Sequence, residues 1–472
     1  MEVSAVPQLA PAAHSSAPPR GARPGAALAV TAAATAVALM NYTAPMLTLP
    51  DMAAAFATPA SAQAWLLNGT PLGLAVLLLI AGSLADAHGR RRVFLLGTLA
   101  LGLTTALGAL AGSTLTFTAA RIAQGAASAA VLAGSLGLLA HAYPAGRDRI
   151  RATGIWGASV SGGIALGPLL AGVLSLADWR LAYGVLGAAA LVTAAAGTRL
   201  LPDDGPKEKP HPRPDIAGAA ALGLALAALL TALTLGRDGW LRPPVGLLLL
   251  TSAALTAVFV AVERRSRTPM VDLALLRRPA FLASTLGALF TGLAVIGLFS
   301  VVPALLQGGA GMSPLGAAWL FVLWSGTAFV VALQARRLPG RLSAPYQLAL
   351  GFALSAAGTL ALLGGVEEGP WPRLLPGLLV AGAGSGLLNA ALPRLAVDSV
   401  PPERAAMGSG ANNTARYIGS SAGVALTLAL TPAGPDTAVL ASAGLALTGA
   451  VLILVLARGH RSGTSLAQTT SR

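Results

Sequence analysis

The chain is built from apolar segments of roughly 20 residues, separated by short polar loops, over a length of 472 residues. An α-helix needs about 20 apolar residues to cross the roughly 30 Å hydrocarbon core of a bilayer, and backbone polar groups in that core must be hydrogen-bonded within the protein. Only 10% of the residues are charged, whereas a soluble domain carries about 25%. The sequence therefore predicts an all-α, multi-pass membrane protein.

Hydrophobic segmentation predicts fourteen transmembrane helices, which place both termini on the same side of the membrane. The predicted spans are 26–48, 64–84, 93–111, 115–140, 152–176, 181–201, 215–236, 244–263, 280–306, 315–334, 346–366, 372–397, 407–430 and 436–457.

The basic residues orient these spans. The tails, loops and span ends on the side of the termini hold 25 Lys and Arg, the opposite loops and span ends hold 4, and Arg121 and Arg416 fall deeper inside spans. Basic residues concentrate in cytoplasmic loops, so we expect both termini in the cytoplasm. The net charge of +14 then reflects topology and attraction to anionic membrane lipid, and we expect no nucleic-acid partner. Two Lys against 29 Arg, with abundant Ala, are typical of a high-GC bacterial genome, which places the chain in a bacterial plasma membrane.

The chain also repeats itself. The segment Gly125–Gly154 resembles Gly382–Gly410, eight spans later, in its small-residue helix, its Pro and Arg turn and its Gly-rich helix start. The repeat pairs spans 1–6 with spans 9–14, as in transporters built from two parallel six-helix halves. The predicted organisation is a disordered cytoplasmic tail (1–25), a six-helix bundle (26–201), a cytoplasmic linker (202–214), two inserted helices (215–263), a cytoplasmic loop (264–279), a second six-helix bundle (280–457) and a cytoplasmic tail (458–472).

The loop between spans 2 and 3 reads GSLADAHGRRR. Gly82 permits close helix approach, Asp86 can cap a helix or pair with Arg, and Gly89 permits a left-handed turn. Arg90 and Arg91 are expected to anchor the loop on the cytoplasmic side. The alternative is an ordinary positive-inside loop without a further role.

Span 4 carries Arg121, followed by Gln124 and Gly125 in the pattern RxxQG. An Arg at membrane depth costs about 2.5–3.5 kcal/mol on insertion scales, so it normally faces a polar interior and has a function. The alternative is an Arg whose side chain reaches the nearby interface.

Span 5 carries Gly154, Gly163, Gly167, Pro168 and Gly172. Their spacing places small residues along one helical face, and Pro168 removes a backbone donor and bends the helix. The alternative is ordinary small-residue helix packing, because Gly is common in this chain, at 56 residues.

These three elements resemble the signatures of the major facilitator superfamily, in its 14-helix drug:proton antiporter branch. Weaker matches at 41–50 and 412–419 extend the resemblance to nearly the whole chain, and it departs from the usual pattern at Ala87 and Ala171. The resemblance implies two six-helix bundles with two inserted helices, and export of a hydrophobic drug, antibiotic or secondary metabolite by alternating access, in exchange for protons. It also implies a monomer without a cofactor, in which the loop at Gly82 and the Gly/Pro face of span 5 act as a conformational switch.

Proton coupling lacks its usual residue. Proton-coupled transporters generally titrate an intramembrane Asp, Glu or His, yet all 17 acids and all five His are predicted in tails, loops or helix ends. The position at which the branch typically has Asp in span 1 is Asn41, whose amide does not titrate. The best remaining proton site is Asp51, for which the alternative is an exposed loop acid. Otherwise the buried Arg121 and Arg416 favour neutral or anionic substrates.

The polar and aromatic residues inside the spans are the candidates to line a substrate cavity, although helix–helix hydrogen bonding and interface anchoring are alternatives for each one. They are Asn41, Tyr42, Thr43, Trp65, Asn68, Arg121, Gln124, Trp324, Asn389, Asn413, Arg416 and Tyr417.

Other classes of protein have less support. The run Gly419–Gly423 matches GxSxG, but it falls inside a helix and lacks the strand-to-helix elbow and the His and Asp partners of a nucleophile. There is no Cys, which excludes disulfides, thiol catalysis and Cys-bound metal. The sequence predicts no enzyme, and the alternative within transporters is an importer, or an anion exchanger of the same fold without proton coupling.

Overall fold

A computed structural model describes residues 24–143, 147–201, 216–236, 239–266, 273–335, 342–366, 370–401 and 405–469, and its regular structure in these ranges is helical. A helix lies at each of the fourteen predicted spans. Within the described ranges, ten helices are long and apolar enough to cross a membrane. The all-helical architecture agrees with the sequence, whereas the count of fourteen crossings stays a prediction.

The first bundle and the inserted pair follow one another along the chain. Their helices are α1 (Pro24–Thr43), α2 (Pro45–Ala55), α3 (Gln63–His88), α4 (Arg90–Ala109), α5 (Thr114–Ala142), α6 (Arg147–Leu174), α7 (Arg180–Leu200), α8 (Ile216–Leu235) and α9 (Pro243–Arg265).

The second bundle contains a break and a stretch of π-helix in its first span. Its helices are α10 (Pro279–Phe290), a π-helix (Thr291–Ile296), α11 (Gly297–Phe299), α12 (Val302–Gly308), α13 (Pro314–Ala335), α14 (Ala344–Leu360), α15 (Leu374–Asp398), α16 (Ala405–Leu430) and α17 (Pro435–Thr469).

Two ends differ from the prediction. The first predicted span, 26–48, is divided at Ala44. Helical structure then continues to Ala55 as α2, with Pro45 at its first position. Proline is tolerated there, since the first turn of a helix has no internal partner for its N–H group. Asp51 consequently lies inside α2 rather than in a loop. At the other end, α17 extends to Thr469 into the predicted tail, where no proline interrupts it. The predicted linker 202–214 and residues 1–23 lie outside the described residues.

The two six-helix segments share one packing plan. In the first, α3 packs on α5, α4 packs on α5 and α7, and α1 packs on α6. In the second, α13 packs on α15, α14 packs on α15 and α17, and α10 with the π-helix packs on α16. Each pair in the first set has its counterpart eight spans later, as the sequence repeat predicts.

The segments meet through α3 against α16 and α6 against α13, while α8 packs on α9 and touches both α3 and α16. The inserted helix α8 therefore lies beside the junction between the segments. Its partner α9 is mostly outside the packed interior, because only 17% of its most apolar 18-residue stretch is buried. This is expected of a helix that faces lipid.

Glycine permits the closest of these approaches. A Cβ added at Gly125 of α5 would overlap the carbonyl oxygen of Thr70 and approach the backbone of Gly73 on α3. A Cβ added at Gly246 of α9 would meet nothing within 4 Å. Small residues that let helix backbones approach are a main source of packing in membrane proteins.

We expect Gly125→Leu to destabilise the protein by about 3 kcal/mol or more, because backbone atoms on α3 have no room to yield. The matched control is Gly246→Leu, which adds the same side chain to a helix with open space and should leave the melting temperature in detergent nearly unchanged. Equal melting temperatures for the two variants would contradict the close contact between α3 and α5.

Candidate functional site

The break between α1 and α2 is the centre of the site. Arg121 on α5 is fully buried, at 0% exposure. Its Nη1 donates to the carbonyl oxygen of Asn41 at 2.6 Å and to Oε1 of Gln124 at 2.7 Å, and its Nη2 donates to the carbonyl oxygen of Tyr42 at 3.3 Å. Gln124 in turn donates to the carbonyl oxygen of Thr104 on α4 at 3.2 Å. The RxxQG pattern therefore joins α5 to the broken helix and to α4.

The reason for this arrangement is local. In a continuous helix the carbonyl of Asn41 would accept from the N–H of residue 45, but residue 45 is Pro and has none. An unpaired buried carbonyl costs about 1–3 kcal/mol. The guanidinium of Arg121 supplies the missing donor, so the RxxQG arginine satisfies the backbone at a proline break.

The side chain of Asn41 is also fully buried, and neither its Oδ1 nor its Nδ2 has a hydrogen-bond partner among the described residues. Arg121 likewise has an unpartnered Nε, and no carboxylate of the described residues forms an ion pair with it. The neighbouring Thr43 donates to the carbonyl oxygen of Leu39 at 3.0 Å, which is ordinary helix bonding. The structure thus brings a buried cation beside an amide at the position where the family pattern has a carboxylate.

Tyr42 connects the two bundles at the end of the molecule toward which α1 runs from Pro24. We name this the distal end, and the basic-residue count predicts that it faces the outside. The hydroxyl groups of Tyr42 and Ser420 on α16 lie 3.1 Å apart, and the Tyr42 and Tyr417 rings meet edge to face with centroids 5.9 Å apart. A cavity beside Tyr42 and Ser420 has a volume of only about 10 Å³, which is barely enough for one water.

Two further hydrogen bonds close the distal end. Nδ2 of Asn68 on α3 donates to the carbonyl oxygen of Ser421 on α16 at 3.2 Å and lies 3.5 Å from Oγ1 of Thr234 on α8. Nε2 of Gln307 on α12 donates to the carbonyl oxygen of Leu47 on α2 at 3.0 Å. The sequence prediction included Asn68 as a cavity residue but missed its bonding partners, since nothing in their local patterns marks them as polar contacts between bundles.

The Gly/Pro face of α6 packs on two different helices. A Cβ at Gly163 or Gly167 would collide with the backbone of α1, and one at Gly172 would press on Ala318 of α13 in the other bundle. Pro168 lies inside the helix, and Gly154 is half-buried nearer its start. The face therefore joins the first span to the junction between bundles, and its role as a switch stays a prediction.

The second arginine of the predicted cavity, Arg416, is arranged differently. Arg416 on α16 is half-buried, and its Nη2 donates to Oδ1 of Asn413 at 2.9 Å. Its Nε is buried without a partner among the described residues, and its guanidinium carbon lies 5.6 Å from the centre of the Tyr417 ring.

Two further predicted cavity residues lie in the second bundle. Asn389 on α15 is half-buried. Trp324 stacks on Phe299 with centroids 4.4 Å apart, which is a packing role.

The loop between α3 and α4 holds the first bundle together. Gly89 has φ of 103°, which favours glycine. Nη1 of Arg90 donates to the carbonyl oxygen of Gly137 on α5 at 3.2 Å, and Nη2 of Arg91 donates to that of Thr198 on α7 at 2.8 Å. Arg side chains commonly satisfy the last carbonyls of helices. Gly82 has open space around it, and the side chain of Asp86 lies outside the described residues.

Asp51 lies at the distal end, beyond the apolar span Pro24–Thr43. Partial burial raises the pKa of its carboxyl, and the negative charge of Asp178 raises that pKa further. Oδ1 of Asp178 accepts from the backbone N–H of Arg180 at 2.8 Å. Asp51 therefore keeps its proton to a higher pH than an isolated Asp. Among the described residues, no group of three His, Cys, Asp or Glu is placed to hold a metal ion.

Known proteins resemble this chain in sequence. A family model described as Major Facilitator Superfamily matches residues 31–424. The chain is 33% identical to "Multidrug resistance protein Stp" of Mycobacterium tuberculosis, over 80% of this chain and 70% of that protein. It is 32% identical to "Probable actinorhodin transporter" of Streptomyces coelicolor, over 87% and 72% respectively. It is 33% identical to "Cephamycin export protein CmcT" of Amycolatopsis lactamdurans, over 80% and 78%.

Solved structures agree on the fold. A peptide transporter POT in complex with sulfate superimposes with a TM-score of 0.69 at 16% identity, covering 92% of this chain and 94% of that one. The human organic anion transporter MFSD10 superimposes with a TM-score of 0.63 at 19% identity, covering 91% and 99% respectively. At these identities the likeness extends to the fold alone.

The bond between Arg121 and the Asn41 carbonyl predicts a specific thermodynamic coupling. Arg121→Met should lower stability by about 1–3 kcal/mol, since it leaves that carbonyl unpaired. Adding Pro45→Ala restores an N–H at residue 45, so the double variant should be less destabilised than the sum of the two single variants. Melting temperatures of the four purified proteins measure the coupling, and strictly additive effects would contradict the assignment.

Proposed function

Because the chain belongs to the Major Facilitator Superfamily, it is a membrane transporter rather than an enzyme, and we propose that it exports a hydrophobic small molecule by alternating access. The expected cargo is a drug, an antibiotic or a secondary metabolite, and the expected driving force is an exchange for protons. The observation that carries this proposal is the closure of the junction between the bundles at the distal end.

The closed end supports alternating access in the following way. Tyr42, Asn68 and Gln307 each form a hydrogen bond that joins the bundles, and all three bonds lie at the distal end. Further toward the termini, two glycines of α6 face open space, since a Cβ at Gly157 or Gly162 would meet nothing within 4 Å. Two bundles held together at the distal end are what one half of an alternating-access cycle requires, in which a central site faces each side of the membrane in turn.

The direction of transport is supported by the relatives. One is named a cephamycin export protein, another a multidrug resistance protein, and a third a probable actinorhodin transporter. We extend export of compounds of this kind to this chain. We expect it to act as a monomer in the lipid bilayer of a bacterial plasma membrane, with both termini in the cytoplasm.

Proton exchange is supported by Asp51 alone among the candidates that the sequence offers. Its position beside Asp178 favours the protonated carboxyl, and the predicted topology exposes it to the outer solution, from which protons enter. The alternative is an anion exchanger or importer without proton coupling. It is supported by the fully buried Arg121 and the half-buried Arg416, which form no ion pair with any carboxylate of the described residues.

Export is tested in everted membrane vesicles, in which it registers as uptake of hydrophobic fluorescent compounds and antibiotics into the lumen. A short thiol-reactive cross-linker that contains a disulfide, applied to the Asn68→Cys, Ser421→Cys double variant, should abolish that uptake. The cross-link holds α3 and α16 together, so the distal end stays shut. Cleavage of the linker with a reductant should restore uptake.

The native chain has no Cys, so the two single-Cys variants treated with the same reagent are clean controls. Uptake that persists in the cross-linked protein would show that the distal end does not open in the cycle. Accumulation of the compounds in intact cells that express the protein, above the level in cells that lack it, would instead establish import.

Proton coupling predicts release of protons when substrate binds to the purified transporter, measured with a pH dye in weakly buffered solution. Asp51→Asn removes the titrating carboxyl and should abolish the release. Release requires Asp51 to be protonated before the substrate binds, so it should vanish as the pH rises through the raised pKa of Asp51 in the free protein. No release from the wild-type protein at any pH would end the proton-antiport proposal.

A further inference from the structure

The two arginines inside the membrane spans use their donors in opposite ways. Arg121 is fully buried and directs three hydrogen bonds to Asn41, Tyr42 and Gln124. Arg416 is half-buried and directs a single one, from Nη2 to Oδ1 of Asn413. A guanidinium has five N–H donors, so most of the donors of Arg416 have no protein acceptor in the described residues. Of the two cations, Arg416 has more donors without a protein acceptor in the described residues.

The surroundings of Arg416 hold it in one orientation. Nδ2 of Asn413 donates to the carbonyl oxygen of Ser409 one turn earlier at 3.0 Å, which directs Oδ1 of the same amide toward the guanidinium. Ser409, Asn413, Arg416 and Ser420 follow each other at intervals of four, three and four residues, so they lie on one face of α16. This polar face is a sequence pattern from which the site is recognisable.

The backbone beneath Arg416 is equally constrained. A Cβ at Gly292 of the π-helix would overlap the carbonyl oxygen of Arg416, and one at Gly419 would overlap that of Leu289 on α10. The two helices therefore pack in backbone contact, with little room to shift. Short π-helical segments are frequent at functional sites, and this one sets the position from which the Arg416 side chain projects.

The neighbours of Arg416 are aromatic and reach the opposite bundle. The guanidinium lies 5.6 Å from the ring centre of Tyr417, and that ring meets Tyr42 on the opposite bundle. Ser420, one turn further along the same face, forms the distal contact with Tyr42 at 3.1 Å. A molecule held at Arg416 would therefore touch the aromatic pair that joins the bundles.

We propose that Arg416, positioned by Asn413, is the binding site for a carboxylate on the exported molecule, so that the substrates are hydrophobic organic anions. The inference rests on the proposed export function and names the chemical class of its substrate. A planar guanidinium binds a carboxylate through two parallel N–H···O bonds. In a site of low dielectric, a cation without a protein counter-charge selects an anion over a cation of the same size.

The test is equilibrium binding to the purified full-length protein, with pyrenebutyrate and its methyl ester as a matched pair of fluorescent probes. Arg416→Gln should raise the Kd for pyrenebutyrate about tenfold or more, as expected for loss of a charge-assisted hydrogen bond. The Kd for the uncharged ester should stay within about twofold. Arg416→Lys should recover part of the preference, because it restores the charge without the planar pair of donors.

The matched control is Arg394→Gln, which removes a half-buried guanidinium near the end of α15, and it should leave both Kd values unchanged. A wild-type protein that binds the ester or the cation ethidium in preference to pyrenebutyrate would overturn the proposal, as would equal effects of Arg416→Gln on both probes. The same variants in everted vesicles distinguish failure of the proposed site from failure of the proposed export function. Export of pyrenebutyrate that survives Arg416→Gln refutes the site and leaves export standing, whereas Arg416-dependent binding without any transport refutes export and leaves the site standing.

Discussion

The bond between Arg121 and the carbonyl oxygen of Asn41 is the interaction on which the centre of this molecule depends. In hydrocarbon, no water is present to satisfy a backbone carbonyl, so a proline inside a span needs a donor from elsewhere in the protein. The donor at Pro45 is a guanidinium from α5. The break separates α1 from α2, which packs on α12, and Tyr42 beside the break contacts Ser420. The distal closure therefore follows from the way in which one proline is accommodated.

The second bundle handles the equivalent break without a buried cation. Pro303 follows the interruption between α11 and α12, as Pro45 follows the one between α1 and α2. The residue directly before this second interruption is Phe299, which stacks on Trp324. The second bundle thus repeats the helix packing and the proline break of the first, but an aromatic stack flanks its break, whereas a cation is bonded at the break in the first. One bundle carries its cation on α5, where it supports the backbone, and the other carries its cation on α16, where it remains available.

The regular features of the fold were predictable from sequence, because they depend on composition over many residues. The helices, the repeated packing and the family all follow from apolar length, loop charge and three motifs. Residue roles were less predictable. Arg121 and Arg416 look alike as basic residues inside apolar segments, and only three-dimensional contacts separate the arginine that serves the backbone from the one that does not. Asp51 was placed just past the end of the first span, whereas α2 continues to Ala55.

The unpaired amide of Asn41 bears on the choice between proton exchange and anion binding. An Asp at position 41 would add a negative charge to the residue whose backbone carbonyl accepts from Arg121. With an amide there, the charge of Arg121 is uncompensated among the described residues, and Tyr42 lies between it and Arg416. Two like charges near one aromatic pair raise the free energy of the empty site, and a bound anion lowers it. On the proposed function, the cargo supplies the negative charge that the resemblance expects from the protein at residue 41.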